Sequence, residues 1–250
     1  MIRSGEVAAA VERAINENYL QDERASAEDY TGNLLLVKDI VTRYLRGGVM
    51  PYDAAHDAFA VSGLEERVAY SFPFRAGERE LEMKFGGIAD RIDMLGDGAL
   101  RVVDYKTGGK DFQLKEVYCG LDCQMLLYLF TLEKEGQSCF GYPIVPAGVL
   151  YHPARDLILK ADGDITPEAL RRAMDRELRR DGMVLGDPEV LRAMEHSALE
   201  APCFLPIQVS KDGGISGGVA TAAQLGRLGQ YVEKLLHQII RELRQGNIDA

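Results

Sequence analysis

A chain of 250 residues with a hydrophobic fraction of 46% carries enough apolar side chains for one substantial core, which excludes a disordered or fibrous protein. No run approaches the roughly 20 apolar residues that span a bilayer, and Met1 to Glu6 lacks the apolar centre of a signal peptide, so a cytoplasmic location without a membrane partner is expected. A net charge of −10 argues against a free-standing nucleic-acid binder, and four unpatterned cysteines point to a reducing compartment, not a disulfide framework.

Amphipathic periodicity predicts helices over Glu6–Asn18 and Asn33–Arg46, the second ended by Gly47-Gly48. Residues 64 to 106 read as antiparallel strands. Val68 to Phe74 is strand-like, and Leu81, Met83 and Phe85 alternate with Glu80, Glu82 and Lys84. The turn Gly96-Asp97-Gly98 leads into an apolar run, Ala99 to Tyr105, that closes on Asp104-Tyr105-Lys106. A proline-free helix follows over Val117–Glu133, with Gln124 and Tyr128 one turn apart on one face. Val145 to His152 reads as a further buried strand, and Pro167 takes the first position of a helix that runs to about Arg180. Asp212-Gly213-Gly214 and Ser216-Gly217-Gly218 mark a flexible turn or loop. Thr221 then caps a last helix, about Ala222 to Gln245, whose apolar stripe is Leu225, Leu228, Val232, Leu235, Leu236 and Ile239. The order of elements is that of a single α/β (α+β) domain.

The chemistry concentrates on the hairpin. A turn centred on Asp97 sets Asp93 across from Arg101, an opposite-charge pair on one face, and Asp90 across from Asp104, a like-charge pair on the other with Cβ atoms about 5 Å apart. Side chains two apart share a face, so Lys106 joins Asp104 while Arg91 and Arg101 point away. Ile92, Met94 and Val102 fall on the face of the two aspartates, so that face is partly buried, and one ammonium does not neutralise two carboxylates there. An oxygen-rich site of this kind suits Mg²⁺ or Mn²⁺. The alternative is a surface ion pair without chemistry. Glu65 or Glu66 could complete a metal shell or be a solvated glutamate, and the Gln124–Tyr128 pair could satisfy the core or orient a phosphate or the lysine. Cys119 and Cys123, one helical turn apart, read as buried reduced thiols. Arg171, Arg172, Arg176, Arg179 and Arg180 form the densest basic cluster and could border a DNA path, although Asp175 and Glu177 between them favour a solvated helix face.

Gly87-Ile88-Ala89-Asp90-Arg91-Ile92-Asp93, Val103-Asp104-Tyr105-Lys106-Thr107-Gly108 and Gln124-Met125-Leu126-Leu127-Tyr128-Leu129 together resemble the G-x-x-D-R-I-D, D-Y-K-[ST] and Q-x-x-x-Y series of the PD-(D/E)xK nucleases, in their RecB-like branch. Pro146 to Tyr151, Asp181 to Leu185 and the closing helix through Gly246-Asn247-Ile248-Asp249 are similar to the C-terminal nuclease region of the AddB-type chains of bacterial AddAB helicase–nucleases, so the resemblance runs from about Val7 to the end. It implies a restriction-endonuclease-like core, a central mixed β-sheet flanked by helices. The whole of 1–250 is then one nuclease domain, with a helical N-terminal part at 1–48, the catalytic core at 64–152 and a C-terminal helical extension at 153–250.

The resemblance also implies roles. Asp90 and Asp104 are the metal carboxylates, with the backbone carbonyl of Tyr105 as a further ligand and Glu65 as the candidate extra acid. Lys106 contacts the attacking water or the scissile phosphate, and Gln124 and Tyr128 hold the DNA backbone or support the lysine. The implied activity is exonucleolytic hydrolysis of DNA with Mg²⁺ or Mn²⁺ inside a recombination-repair helicase–nuclease, with DNA and an AddA-like helicase subunit as partners. Two departures stand beside this. Cys119, Cys123, Cys139 and Cys203 do not form the cluster pattern of such chains, so no iron–sulfur cluster is expected. None of the histidines precedes the first block in a helix: His56 falls in a loop, and His152, His196 and His237 come after the core. With the acidic balance, they keep a second reading open, a non-catalytic nuclease-like module that binds DNA ends or a helicase partner.

Overall fold

In the computed structural model, which describes residues 4–54, 59–76, 78–108, 111–154 and 166–246, the strands are, in chain order, β1 (Phe59–Ala76), β2 (Arg79–Leu95), β3 (Ala99–Lys106), β4 (Val145–Pro153), β5 (Asp181–Leu185), β6 (Ile207–Val209), β7 (Ile215–Gly217) and β8 (Val219–Ala220). The helices are α1 (Ser4–Ile15), α2 (Asn33–Tyr44), α3 (Met50–Ala54), α4 (Leu114–Tyr118), α5 (Gln124–Phe140), α6 (Pro167–Glu177), α7 (Pro188–Met194) and α8 (Ala222–Arg244). A mixed sheet in the order β1-β2-β3-β4-β5-β8 forms the centre, and β6 pairs with β7 apart from it. The β3–β4 and β5–β8 steps are parallel and the others antiparallel. A parallel step needs a crossover, which α4 and α5 supply between β3 and β4.

Both faces of the sheet are covered, which is why β3 and β4 read as near-continuous apolar runs. On one face Leu100, Val102 and Val149 pack against Met125, Leu126 and Leu129 of α5, and Leu225, Val232, Leu236 and Ile240 of α8 close the same core. On the other, Ala99, Val103, Leu150 and Val184 meet Leu191 and Met194 of α7 and the chain at Leu205 and Ile207. The mixed sheet between helices is the architecture expected from the sequence.

The register between β2 and β3 is also the expected one: Arg91–Val103, Ile92–Val102, Asp93–Arg101 and Met94–Leu100 are partners. Its fixing contact is ionic. Asp93 is fully buried and takes Arg91 Nε at 2.7 Å and Arg101 Nη2 at 2.8 Å, while Arg91 reaches on to Asp53 of α3 at 2.9 and 3.2 Å. The Phe59 ring lies 5.2 and 4.9 Å from the two guanidinium carbons. A slip by one residue would take Arg101 of β3 away from Asp93 of β2 and leave a buried guanidinium without that partner.

Several expected boundaries are corrected. Gly47-Gly48 does not stop the second helix: α2 passes through a π turn at Leu45–Val49 into α3. Gly48 packs closely instead, since a Cβ on it would sit 3.0 Å from Cδ2 of Leu178. The helix expected over Val117–Glu133 is broken by left-handed Gly120 and Asp122 (φ 81 and 52°), so Cys119 and Cys123 do not share a helical turn and α5 begins only at Gln124. Ser216 and Gly217 are strand residues opposite Gln208 and Ile207, not loop, and α6 stops at Glu177. On α8, whose Thr221–Gln224 capping box bears out the expected cap, Ile240 is buried in place of Ile239. His56 and Asn247 to Asp249 lie outside the described residues.

Because removing Asp93 would leave two guanidinium groups buried against each other, Asp93→Ala is expected to destabilise the fold by about 3–5 kcal/mol, read as a lower urea midpoint at constant slope. A midpoint equal to that of the wild type would show that the network holds nothing together.

Candidate active site

Asp90 sits where β2 changes face. Ala89 and Ile92 are three residues apart yet belong to the same core beneath α5, which strict alternation forbids. The switch falls at Asp90 and Arg91, and on β1 Glu65, between the pairs Leu64–Arg91 and Glu66–Ala89, takes a left-handed φ of 50°. Paired irregularities of this kind re-aim side chains. The consequence is visible at β3: the backbone ladder ends at Arg91–Val103, and the Tyr105 N–H instead donates to Oδ2 of Asp90 at 2.8 Å. The carboxylate stands in for a backbone acceptor and is thereby clamped beside the Asp104–Lys106 segment.

Asp104 follows Leu100 and Val102 on the α5 face of β3. Its Oδ2 lies 2.5 Å from Nζ of Lys106, and the two side chains are 15% and 29% exposed. The parallel pairing of β3 with β4 brings Tyr151 level with Asp104, and the Lys106 ammonium stands 5.2 Å from the centre of the Tyr151 ring. Asp90, Asp104 and Lys106 therefore meet at the end of one strand.

Two acids that the sequence alone does not single out flank them. Tyr151 Oη donates to Oδ1 of Asp122 at 2.8 Å, and Asp181 on β5 is paired with Tyr151 and accepts the Phe112 N–H. Burial, then the hydrogen bond to Asp122 and the negative charge of Asp122, Asp104 and Asp181, hold the Tyr151 phenol well above its ordinary range, so it stays a neutral donor. No spacing could have revealed Asp181, because β5 joins the site only through the sheet. Asp122 had one signal, its place after Gly120-Leu121 in what turns out to be a tight turn.

Gln124, at the start of α5, donates from Nε2 to Tyr128 Oη at 2.7 Å. Tyr128 is buried and Gln124 exposed. The phenol reaches the sheet at Gly87, where a Cβ would lie 2.0 Å from Tyr128 Oη. The glycine that opens the first block is therefore the slot that lets this pair pack three residues from Asp90.

The opposite face holds the strand from behind. Tyr105, whose N–H binds Asp90, accepts Arg91 Nη1 on its hydroxyl at 3.2 Å and meets His152 edge-on at 5.5 Å. His152 lies on β4, the buried strand expected over Val145–His152, level with Tyr105, so only its placing after the core is corrected. Burial first, then Arg180, Arg91 and Arg101, push its pKa down to about 2, so it is a neutral packing residue. The basic cluster is corrected as well. Only Arg180 leaves it, buried at 5.9 Å from the Phe204 ring; Arg171, Arg172 and Arg176 of α6 are exposed as expected, and so is Arg179, which donates to the Leu205 carbonyl at 3.1 Å. The two thiols expected to be buried differ too, since Cys119 is exposed and Cys123 half-buried.

Hard carboxylate oxygens beside a single ammonium fit a divalent cation of the Mg²⁺ class. Among the described residues no three His, Cys, Asp or Glu side chains form one metal-binding group. Glu65 and Glu66 are both exposed on β1, and neither is gathered onto Asp90 and Asp104.

Gly87→Ala is expected to cost about 1–3 kcal/mol through the clash with Tyr128. In the Gly87→Ala/Tyr128→Phe chain the nearest remaining ring atom is 3.1 Å away, so thermal melting should recover most of that loss. A neutral Gly87→Ala change would contradict the packing of Tyr128 on the sheet.

A model of the PD-(D/E)XK nuclease superfamily matches residues 3–250. The chain is similar to the B-type chain of the ATP-dependent helicase/deoxyribonuclease of Acetivibrio thermocellus, at 38% identity over 167 residues, and to that of Clostridium botulinum strain Hall, at 36% over 169. It is also similar to the chain of the same name from Thermoanaerobacter pseudethanolicus, at 34% over 172 residues. These matches cover 65%, 65% and 67% of this chain, and the chain spans 15% of the length of each relative. Among the described residues no helix is long and apolar enough to cross a membrane. The chain belongs to the PD-(D/E)XK nuclease superfamily, as its three blocks led one to expect.

Proposed function

We propose that this member of the PD-(D/E)XK nuclease superfamily is the nuclease domain of a recombination-repair helicase–nuclease and hydrolyses DNA phosphodiesters from a strand end with Mg²⁺ or Mn²⁺. The observation that supports it most is the convergence of Asp90, Asp104 and Lys106 at the end of β3. In this reading Asp90, Asp104 and the Tyr105 carbonyl would hold the metal, and Glu65, exposed on the strand beside Asp90, would join them as a further acid only by turning in from where it lies. Such an ion, when bound, neutralises charge developing on the phosphoryl oxygens and lowers the pKa of a bound water.

The chain's own residues do the rest. Lys106, steered by Asp104 and the Tyr151 ring, places its ammonium against a non-bridging phosphate oxygen or the attacking water. The water oxygen bonds to phosphorus, the bond to the leaving sugar oxygen breaks, and that oxygen takes up a proton. Gln124, fixed by Tyr128 but open to solvent, offers its amide to the DNA backbone. The proposed setting is cytoplasmic, with residues 1–250 as one nuclease domain and an AddA-like helicase subunit as partner. A net charge of −10 fits a domain whose substrate is delivered by a partner with a basic channel. The same charge favours the second reading, a nuclease-like module that binds DNA ends or a helicase without cutting.

Lys106→Ala is expected to lower Mg²⁺- or Mn²⁺-dependent degradation of linear DNA by about 100-fold or more while leaving the circular dichroism melt unchanged. Asp104→Asn should lose both degradation and Mn²⁺ binding by calorimetry. Undiminished degradation by Lys106→Ala sinks the catalytic assignment, and a wild-type complex that binds DNA ends without cutting them selects the second reading.

A further inference from the structure

We propose that the turn joining α4 to α5 is a stacking ledge for an unpaired base of the strand that enters the site; this deepens the nuclease reading and rests on it. Three large apolar side chains of α4 and this turn project into solvent: Tyr118 at the end of α4 is 73% exposed, Leu121 in the turn 62% and Leu114 at the start of α4 51%. An exposed tyrosine is commonly mobile, but this one is held. Its ring stacks on Tyr231 of α8 at 5.7 Å with an angle of 10° between planes, and Tyr231 Oη donates to the Tyr118 carbonyl at 2.6 Å.

The turn beneath is fixed by its own backbone. Gly120 and Asp122 are left-handed, the Leu121 N–H donates to the Glu116 carbonyl at 2.9 Å, and the Gly120 N–H donates to that of Val117 at 3.0 Å. The residue after Leu121 is Asp122, which accepts the Tyr151 hydroxyl, and the Tyr151 ring lies under the Lys106 ammonium. Two residues further on is Gln124. The ledge is thus joined, through Asp122 and Tyr151, by one chain of contacts to the groups that would take the phosphate.

The chemistry of the occupant follows from charge. The three ledge side chains are uncharged, and the charged residues among them, Lys115, Glu116 and Asp122, sum to a net negative charge in a chain of net charge −10, so a polyanion has no electrostatic reason to settle there. It does give a base a rigid aromatic surface, and stacking of that kind is tolerant of sequence and available only to unpaired nucleotides. An apolar helix of a partner protein or a second copy of this chain is the competing occupant.

The test uses the full polypeptide in its wild-type, Tyr118→Ala and Tyr118→Phe forms, with a single strand carrying 2-aminopurine and a matched strand with abasic sites around the scissile position. The expected result is a drop of about 5- to 100-fold in kcat/KM for Tyr118→Ala on the base-bearing strand, with Tyr118→Phe like wild type. On the abasic strand, wild type should fall by the same factor and Tyr118→Ala should fall no further. Quenching of 2-aminopurine on binding, without divalent ion, should be lost in Tyr118→Ala alone. Cleavage and quenching equal to wild type in Tyr118→Ala would overturn the ledge while leaving the nuclease reading intact, as would a change only in oligomeric state or complex assembly. A wild type that quenches but never cuts would overturn the nuclease reading and leave the ledge standing.

Discussion

The constraint on which the structure depends is the burial of Asp93 between two arginines. A carboxylate taken fully out of water has to find its charge partners in one arrangement only, and here Arg91 from its own strand and Arg101 from the next supply them within 3 Å. An apolar core would tolerate a shift of β3 along β2 if volumes were roughly kept. The ionic network does not, because each charge is anchored to a different strand position. The network sets the register as far as the last ladder pair, Arg91–Val103, which adjoins Asp90 and Asp104.

The same network reaches the site from behind. Tyr105 is the joint: its hydroxyl accepts Arg91 on the buried face, while its backbone N–H holds Asp90 at the other. Asp53 of α3 sits on the far side of Arg91, so the N-terminal helical part is tied to the network too. The neutral His152 and the buried Arg180 fill the remaining space on that face. Stability and site geometry are therefore coupled: a residue that never touches substrate sets where one of the candidate metal carboxylates lies.

Much of this was legible because it is local. The turn at Gly96–Gly98 fixes the hairpin, and the opposite charges of Asp93 and Arg101 check its register without any knowledge of the rest. The cap at Thr221, the proline that opens α6 and the Gln124–Tyr128 turn are equally local and are found as expected. What was not legible depends on distant parts. The switch of face at Asp90 follows from how two irregular strands meet, although the odd-numbered run Met83, Phe85 giving way to Ile92 and Met94 was a trace of it. Gly48 looks like a stop signal and is a contact, since Leu178 lies 130 residues away in the chain and leaves no mark beside it. Arg180 belongs by sequence to a solvated basic run and by structure to a core, because α6 ends before it. Asp122 and Asp181 meet Tyr151 only once β4 and β5 are paired.

The acidic balance of the chain then acquires a physical sense. Asp104, Asp122 and Asp181 all bear on Tyr151, and in a chain of net charge −10 such acids repel a polyanion at long range, which the exposed arginines of α6 are too few to reverse. Under the proposed function, a strand is brought in by something other than the field of this chain. Contacts without formal charge, such as the Gln124 amide and an aromatic surface beside it, keep their strength in salt and against a negative background, whereas contacts to phosphate lose theirs. In such an arrangement capture of the strand and chemistry on it are separable tasks, and the carboxylates can be concentrated where a cation is needed without weakening how the substrate is held.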